Sequence, residues 1–505
     1  MRITNGMMIN NALRDINNNK LNLDRYNTQL STEKRIQKPS EDPIIAIRAL
    51  RFRSNLAEID QYLERNIPDA ESWIKVTEDA LIGARDMTQS LQEDLTQGAN
   101  ETLGTDERDA IVKNLQAYRD QIFQNANADY ANRSIFTGYK TASTMTFEAK
   151  DEDIKYVITQ KLTATSLDRY SVVQNNVAPS ELGPVNVDEM PYMVTNHRVR
   201  LAYNKLDIDI AGGINTGLSL TDEDGNAVPG LELETVYLKD GVYKNAAGDE
   251  VDPYDTSGGK NYLIADSGEI IFSESGYTKY VQSTENGGVL SLTYQKTGFE
   301  KGELKPEHYF ECELTTATAT ETFEYSGAPQ DIEYTVNFEM KLKVNTEGRD
   351  VFSHDIIRDV DELINCVALV SQIEENITNI EKKIAVSEGA EKENLETVKE
   401  ALEKEFALAE EVMQKRFEEG ITEFQLHQQK FDLAITEVGN RGVRLKLNKE
   451  RLTSQQTNIE ELKSKNEDAD LAETAILLTT SKDVYEASLS AAAKLTGNNL
   501  LDFIR

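Results

Sequence analysis

Apolar residues recur with a helical period at both ends of this chain and with a strand period in its middle, so helical ends must enclose a β-rich centre. From Ile9 the apolar positions step by three and four through Leu13, Ile16, Leu23 and Leu30, with Lys20 and Asn27 standing in the same seam. The run Lys38-Pro39-Ser40-Glu41-Asp42-Pro43 stops that helix. Asp42 is placed to cap a second helix and Pro43 to fill its first turn, predicting helix from about Ile44 past Ile59. Further stripes through Trp73, Leu81, Leu91 and Leu95, then Ile111, Leu115 and Ile122, make the first 137 residues almost wholly helical. Helix is expected again from about Asp355, through Val360, Leu363, Val367 and Val370. A highly charged stretch, Glu381 to Glu419, and a last stripe, Leu471, Ala475, Leu478, Lys482, Tyr485, Leu489 and Ala492, complete the C-terminal half.

Between about 138 and 350 the period falls to two. Ile332, Tyr334, Val336, Phe338, Met340, Leu342 and Val344 alternate with polar residues and predict one strand with a buried face. Asp240-Gly241, Asp224-Gly225 and Asn286-Gly287 predict hairpin turns. The fold class expected is α+β multidomain: a long helical bundle or coiled coil formed by the N- and C-terminal segments, with an inserted β-rich domain. Its divisions fall at 1–40 (N-terminal coiled-coil segment), 41–145 and 351–464 (two halves of a helical core), 146–350 (β-rich, outward-facing) and 465–505 (C-terminal coiled-coil segment).

The 505 residues carry 54 Lys and Arg against 88 Asp and Glu, a formal charge of −34. Residues 1–60 hold 10 basic and 7 acidic side chains and residues 440–505 hold 10 of each, so the 34 basic and 71 acidic groups between them carry the acidity. Such a chain is not expected to bind nucleic acid or an anionic membrane. No apolar run approaches the roughly 18 residues of a membrane span, and the opening Met1-Arg2-Ile3-Thr4-Asn5-Gly6 lacks a cleavable signal pattern. If the protein leaves the cell, another route is expected. Cys312 and Cys366 are the only cysteines, which excludes a disulfide framework and leaves open one bridge between them.

A seam at each terminus needs a partner helix. Burying four or five seam side chains supplies about 10 kcal/mol, whereas ordering some 30 residues costs about 1 kcal/mol or more for each. The two ends can pair with each other, but either alone is marginal, so the ends are expected to be disordered in the free subunit and to order in a polymer.

Particular words in the sequence point the same way. Met1-Arg2-Ile3-Thr4 with Met7-Met8, then Gln29-Leu30-Ser31-Thr32-Glu33-Lys34-Arg35-Ile36-Gln37-Lys38-Pro39-Ser40-Glu41-Asp42-Pro43, resemble the opening of the hook–filament junction proteins of the flagellin superfamily. Pro39 and Pro43 separate this pattern from that of filament flagellins. Arg133-Ser134-Ile135-Phe136-Thr137-Gly138-Tyr139 is similar to the family's exit into its variable domain, with Thr137 in place of a usual glycine, and Leu500-Leu501-Asp502-Phe503 resembles its ending. The resemblance covers about half the chain and leaves 146–350 unmatched. It implies a secreted structural subunit, exported uncleaved by the flagellar type III apparatus. Its implied partners are copies of itself in a ring, the hook-side junction protein, flagellin, and an export chaperone at the C-terminal segment. The assembly interface is expected at Leu13, Ile16, Leu23, Leu30, Leu478, Tyr485, Leu489 and Leu495, with burial within the subunit as the alternative. A filament flagellin, a stalk displaying a glycan-binding β domain and a cytosolic coiled-coil scaffold are the rival readings.

No catalytic, cofactor or metal site is expected. His197, His308, His354 and His427 lack metal-ligand spacing, and no nucleophile elbow or phosphate loop occurs. Asp222-Glu223-Asp224-Gly225-Asn226 faintly resembles a calcium loop, but Leu233 stands where the twelfth-position glutamate belongs, so a hairpin turn is the better account.

Overall fold

The computed structural model describes residues 5–100, 104–177, 190–209, 212–316, 319–325 and 327–497. Its helices are α1 (Asn5–Thr32), α2 (Pro43–Gln61), α3 (Ile67–Gly98), α4 (Thr105–Ala126), α5 (Glu274–Thr284), α6 (His354–Ile384), α7 (Ala390–Glu467) and α8 (Leu471–Gly497). Tyr62–Asn66 join α2 to α3 as one π-helical turn. Local chemistry sets several of these bounds. Asp42 accepts from the backbone N–H groups of Ile44 and Ile45, with Pro43 in the first turn, and Ser353 caps α6 by accepting from Asp355. Between α6 and α7, Gly389 takes a positive φ of 66° that a side chain would resist. The charged stretch from Glu381 to Glu419 therefore forms the end of α6 and the start of a 78-residue α7.

The chain divides into two compact units, one of Met1–Glu71, Tyr334–Leu342 and Val443–Arg505, the other of Ser72–Glu333 and Lys343–Gly442. In the first, a hairpin of β14 (Glu333–Asn337) and β15 (Met340–Lys343) takes the place of the single long strand predicted from Ile332 to Val344. The alternation runs on through a two-residue turn in which Glu339 has a φ of 53° and Asn337 Oδ1 accepts from the Phe338 N–H. Phe338 meets the edge of Tyr62 in the π-helical turn, ring centroids 5.9 Å apart, and Asn448 donates to the Val336 carbonyl at 2.7 Å.

The second unit has two layers of core. In its helical layer Trp73, Leu81, Leu91 and Leu95 of α3, Leu115 and Ile122 of α4, and Val360 of α6 are fully buried. Phe417, Phe424, Phe431 and Val438 of α7 recur every seven residues and are fully buried too. The Phe417 ring lies where a Cβ on Gly98 would stand. Gly98→Ala should therefore cost about 1–3 kcal/mol through forced repacking, read as a lower urea midpoint; an unchanged midpoint would show that the ring yields freely.

Its other layer is an eleven-stranded sheet. The strands are β3 (Asp151–Leu162), β4 (Leu167–Gln174), β5 (Tyr192–Arg200), β6 (Ser219–Thr221), β7 (Ala227–Lys239), β8 (Val242–Asn245), β9 (Asn261–Ile264), β10 (Glu269–Phe272), β11 (Leu290–Phe299), β12 (Glu311–Thr315) and β13 (Thr320–Phe323). They lie in the order β13-β12-β3-β11-β6-β7-β9-β10-β5-β4, with β8 also on β7. The pairs are antiparallel except β7 with β9. Ile158, Leu162, Val199, Leu263, Ile270, Leu290 and Leu292 supply the main core, and Val236, Ile264 and Ile271 a smaller one.

Asp240-Gly241 turns β7 into β8, both residues at positive φ (55° and 82°), and Asp224-Gly225 lies in the turn from β6 to β7. Asn286-Gly287 makes no hairpin: it closes a short turn between α5 and β11. Helix ends at Ala126 rather than 137, because the short pair β1 (Asp129–Tyr130) and β2 (Arg133–Ser134) intervenes.

Candidate assembly surface

Both chain ends are helical and lie against each other, where the sequence predicts disorder in the free subunit. Pairing gives each seam the partner that a lone helix lacks. Arg35 N–H donates to the Glu467 carbonyl at 2.7 Å and Ala469 N–H to the Glu33 carbonyl at 2.9 Å, holding the end of α1 at the start of α8. Further out Asn19 Nδ2 donates to Ser488 Oγ at 2.7 Å, so the helices run antiparallel. Helix α2 is fastened to the same segment: Arg53 makes a two-pronged bond to Glu467 at 2.9 and 2.6 Å, and Asn466 donates to the Ile45 carbonyl.

The seam that results is shallow. Along α1 the half-buried stripe is Ile9, Ala12, Ile16, Asn19, Leu23, Tyr26 and Leu30, with Thr28 beside it, and along α8 Leu478, Ser481, Tyr485, Ser488 and Ala492. Among the described residues neither helix fully buries an apolar side chain; only Gln29 and Thr474 are buried. Of the expected interface residues, Ile16, Leu23, Leu30, Leu478 and Tyr485 are partly covered in this way. Leu13 and Leu489 remain 54% and 42% exposed. Leu495 lies near the end of α8. Lys20, Asn27 and Lys482, read as seam positions, are also exposed, because the covered stripe on each helix passes one residue before them, through Asn19, Tyr26 and Ser481.

Outside that stripe, α1 exposes Met7, Met8 and Leu21, and α8 exposes Leu471, Ile476, Leu477 and Val484. A further exposed stripe, which sequence reading missed, lies on α2, where Ile44, Ile47 and Leu50 are each more than half exposed. Its signal was legible: three aliphatic residues at steps of three just past a proline-capped helix start. Single exposed aliphatics are ordinary, whereas runs of them on three helices make a candidate surface for assembly.

Candidate reactive residues have local partners. His354 bonds the Tyr203 hydroxyl at 2.9 Å, and burial pushes its pKa down to about 3. His308 bonds the Thr144 carbonyl at 3.0 Å and burial lowers it to about 4. His427 faces Asp359 at 3.2 Å, and His197 stacks on Tyr277. Among the described residues no three His, Cys, Asp or Glu side chains are grouped to hold a metal ion, and no helix is long and apolar enough to cross a membrane. Asp222 Oδ1 accepts from the N–H groups of Asp224 and Asn226, a turn that consumes the calcium-loop pattern. Cys312 and Cys366 are unpaired buried thiols, each pushed up to about 12 by burial.

Residues 3–141 match the bacterial flagellin N-terminal helical region. The flagellar hook-associated protein 3 of Escherichia coli is 35% identical over 159 residues, 31% of this chain and 49% of that protein. Its counterpart in Salmonella typhimurium is 35% identical over 143 residues, 28% of this chain and 44% of that protein. The matches thus span about half the length of these relatives. The solved structure of a flagellar hook associated protein-3 from Legionella pneumophila aligns over 82% of this chain and 97% of its own, with 12% identity and a TM-score of 0.29. Over residues 3–141 this chain is thus similar to the N-terminal helical region of bacterial flagellins, and over part of its length to two flagellar hook-associated proteins 3.

Proposed function

We propose that the protein is a structural subunit of the bacterial flagellum that polymerises through α1 and α8 where hook meets filament. The observation that carries this reading is the α1–α8 pair, whose two helices meet in a shallow seam and keep a row of aliphatic side chains outside it. A stable monomer has no use for that surface, whereas a helical polymer buries it against neighbouring copies. Leu13 and Leu489 face those copies. Ile16, Leu23, Leu30, Leu478 and Tyr485 hold the two ends together so that the row is presented as one face.

In this reading 1–40 and 465–505 are the assembly segments, 41–145 and 351–464 the core, and 146–350 the outward domain. The subunits are secreted through flagellar export and form a ring outside the cell, between the hook-side junction protein and flagellin. An export chaperone holds the C-terminal segment beforehand. The chemistry is packing, and no bond is made or broken.

Gold-labelled antibody against the β-rich region should mark one narrow band where hook meets filament on flagella of the native host. Label along the whole filament would make the chain a filament subunit, and flagella without label would overturn the flagellar reading in favour of a stalk or scaffold.

A further inference from the structure

The second unit buries an ionic cluster that the assembly reading does not use. Arg198 on β5 is fully buried and meets Glu269 of β10 at 2.6 Å, Asp168 of β4 at 2.9 Å and Glu362 of α6 at 2.8 Å. Arg416 on α7 reaches the same Glu362 at 2.7 Å, and Arg200 on β5 reaches Asp359 of α6 at 2.7 Å. The Tyr170 ring of β4 lies under both the Arg198 and the Arg416 guanidinium, at 4.0 and 5.0 Å. These contacts fasten the β4–β5–β10 end of the sheet to α6 and α7 by charge.

One carboxyl has no bonded cation. Glu423 stands on the same face of α7 as Arg416, seven residues before it, and His427, four residues after it, and those two meet Glu362 at 2.7 Å and Asp359 at 3.2 Å on α6, so its carboxyl is set among Asp359, Glu362, Arg416 and, from β5, Arg200. Asp355 and Lys430 stand at the margin, near His427. Arg200 is already engaged by Asp359 and Glu362, and Arg416 by Glu362 and Glu419. Among the described residues no donor bonds the Glu423 carboxyl. A second negative charge beside buried Asp359 would be uncompensated, which in a poorly solvated site favours a bound proton.

We propose that docking of the β4–β5–β10 sheet on α6 and α7 is proton-coupled, the docked form holding Glu423 as the neutral acid beside Asp359, so that rising pH loosens the sheet from the helices. Burial and Asp359 push Glu423 up to about 8, against the pull of Arg200 and Arg416. Once undocked, a solvated glutamate titrates near its ordinary value of about 4.3. Between those values the docked form binds one proton more than the undocked form. Docking is therefore strongest below the lower value, weakens through the window and levels off above the upper.

Hydrogen exchange of the intact chain at pH 6.5 and 8.5 tests this. After correction for intrinsic rates, protection of Leu167–Gln174 and Tyr192–Arg200 should fall roughly tenfold or more in the wild type, and by less than twofold in Glu423→Gln. Equal wild-type protection at the two pH values overturns the proposal without any variant. So does a fall in Glu423→Gln as large as in the wild type, which would assign the proton to another group. Glu423→Ala provides a second acid-free variant, with the same expectation, should the glutamine variant fold poorly.

Discussion

Subunits carrying Leu489→Asp should melt like the wild type and fail to polymerise. Leu489 is 42% exposed on α8 and outside the stripe that α8 turns towards α1, so the folded subunit loses little when it changes. A polymer contact loses more. Covering the rest of a leucine contributes about 1–2 kcal/mol, and placing an unpaired carboxylate in an apolar contact costs several kcal/mol in addition. A combined penalty of about 4 kcal/mol raises the concentration needed for assembly roughly a thousandfold, and it recurs at each copy. Sedimentation and electron microscopy of purified subunits read the polymer, and circular dichroism reads the fold. Leu489→Ala, which removes contact without adding charge, should shift assembly far less. Polymer formed by Leu489→Asp at the wild-type concentration would remove Leu489 from the interface and weaken the assignment of Leu13 with it.

The helical ends were legible because an amphipathic helix declares its period in its own residues. Which stripe of the helix meets the partner was not. A search for apolar residues spaced by three and four selects Leu13 and admits Lys20 and Asn27, whereas the covered line of α1 runs through Ala12, Asn19 and Tyr26. Asn19 and Ser488 belong to that line because they bond each other across it, and a polar pair within a seam is invisible to an apolar pattern. Phe338 shows the same limit in the β region. Alternation reports that residues take turns between two faces but does not count strands, so a hairpin reads as one strand until the turn-forming Asn337 is noticed.

The buried ionic cluster was out of reach for a different reason. Asp168, Arg198, Glu269, Glu362 and Arg416 are drawn from positions spread over about half the chain, and sheet order together with helix packing brings them within one hydrogen bond of Arg198 or Glu362. In a chain with 88 carboxylates no such group stands out by spacing. Net charge gives no hint of it either: the middle of the chain is strongly acidic, yet several of its carboxylates are the buried partners of arginines.

That cluster sets the largest loss of stability expected from one substitution. Removing the guanidinium in Arg198→Ala leaves Glu362 with Arg416 and Arg200 and takes the closest cation from Asp168 and Glu269, and breaking a buried ion pair from one side costs about 3–5 kcal/mol. Against a typical domain stability of about 5–15 kcal/mol, the sheet unit would be left marginal at neutral pH. The effect has a definite pH dependence. Burial alone would raise Glu362, but Arg198 and Arg416 hold it down to about 2. Its folded pKa is thus depressed below the ordinary value of about 4.3, and the stability it contributes is fully present above that value and lost as pH falls towards 2. Without Arg198 much of this contribution is gone, so the gap between variant and wild type should be widest near pH 7 and narrow by pH 3–4, where the stranded carboxylates take up protons. Urea unfolding followed by circular dichroism at the two pH values measures it. Arg198→Met, which restores the bulk of the stem without the charge, should stay nearly as destabilised as Arg198→Ala at pH 7. Combining it with Glu362→Gln should recover part of the loss, because one uncompensated charge is then absent. A deficit equal at both pH values, or one that methionine repairs alone, would mean that Arg198 holds the sheet by packing and not by charge.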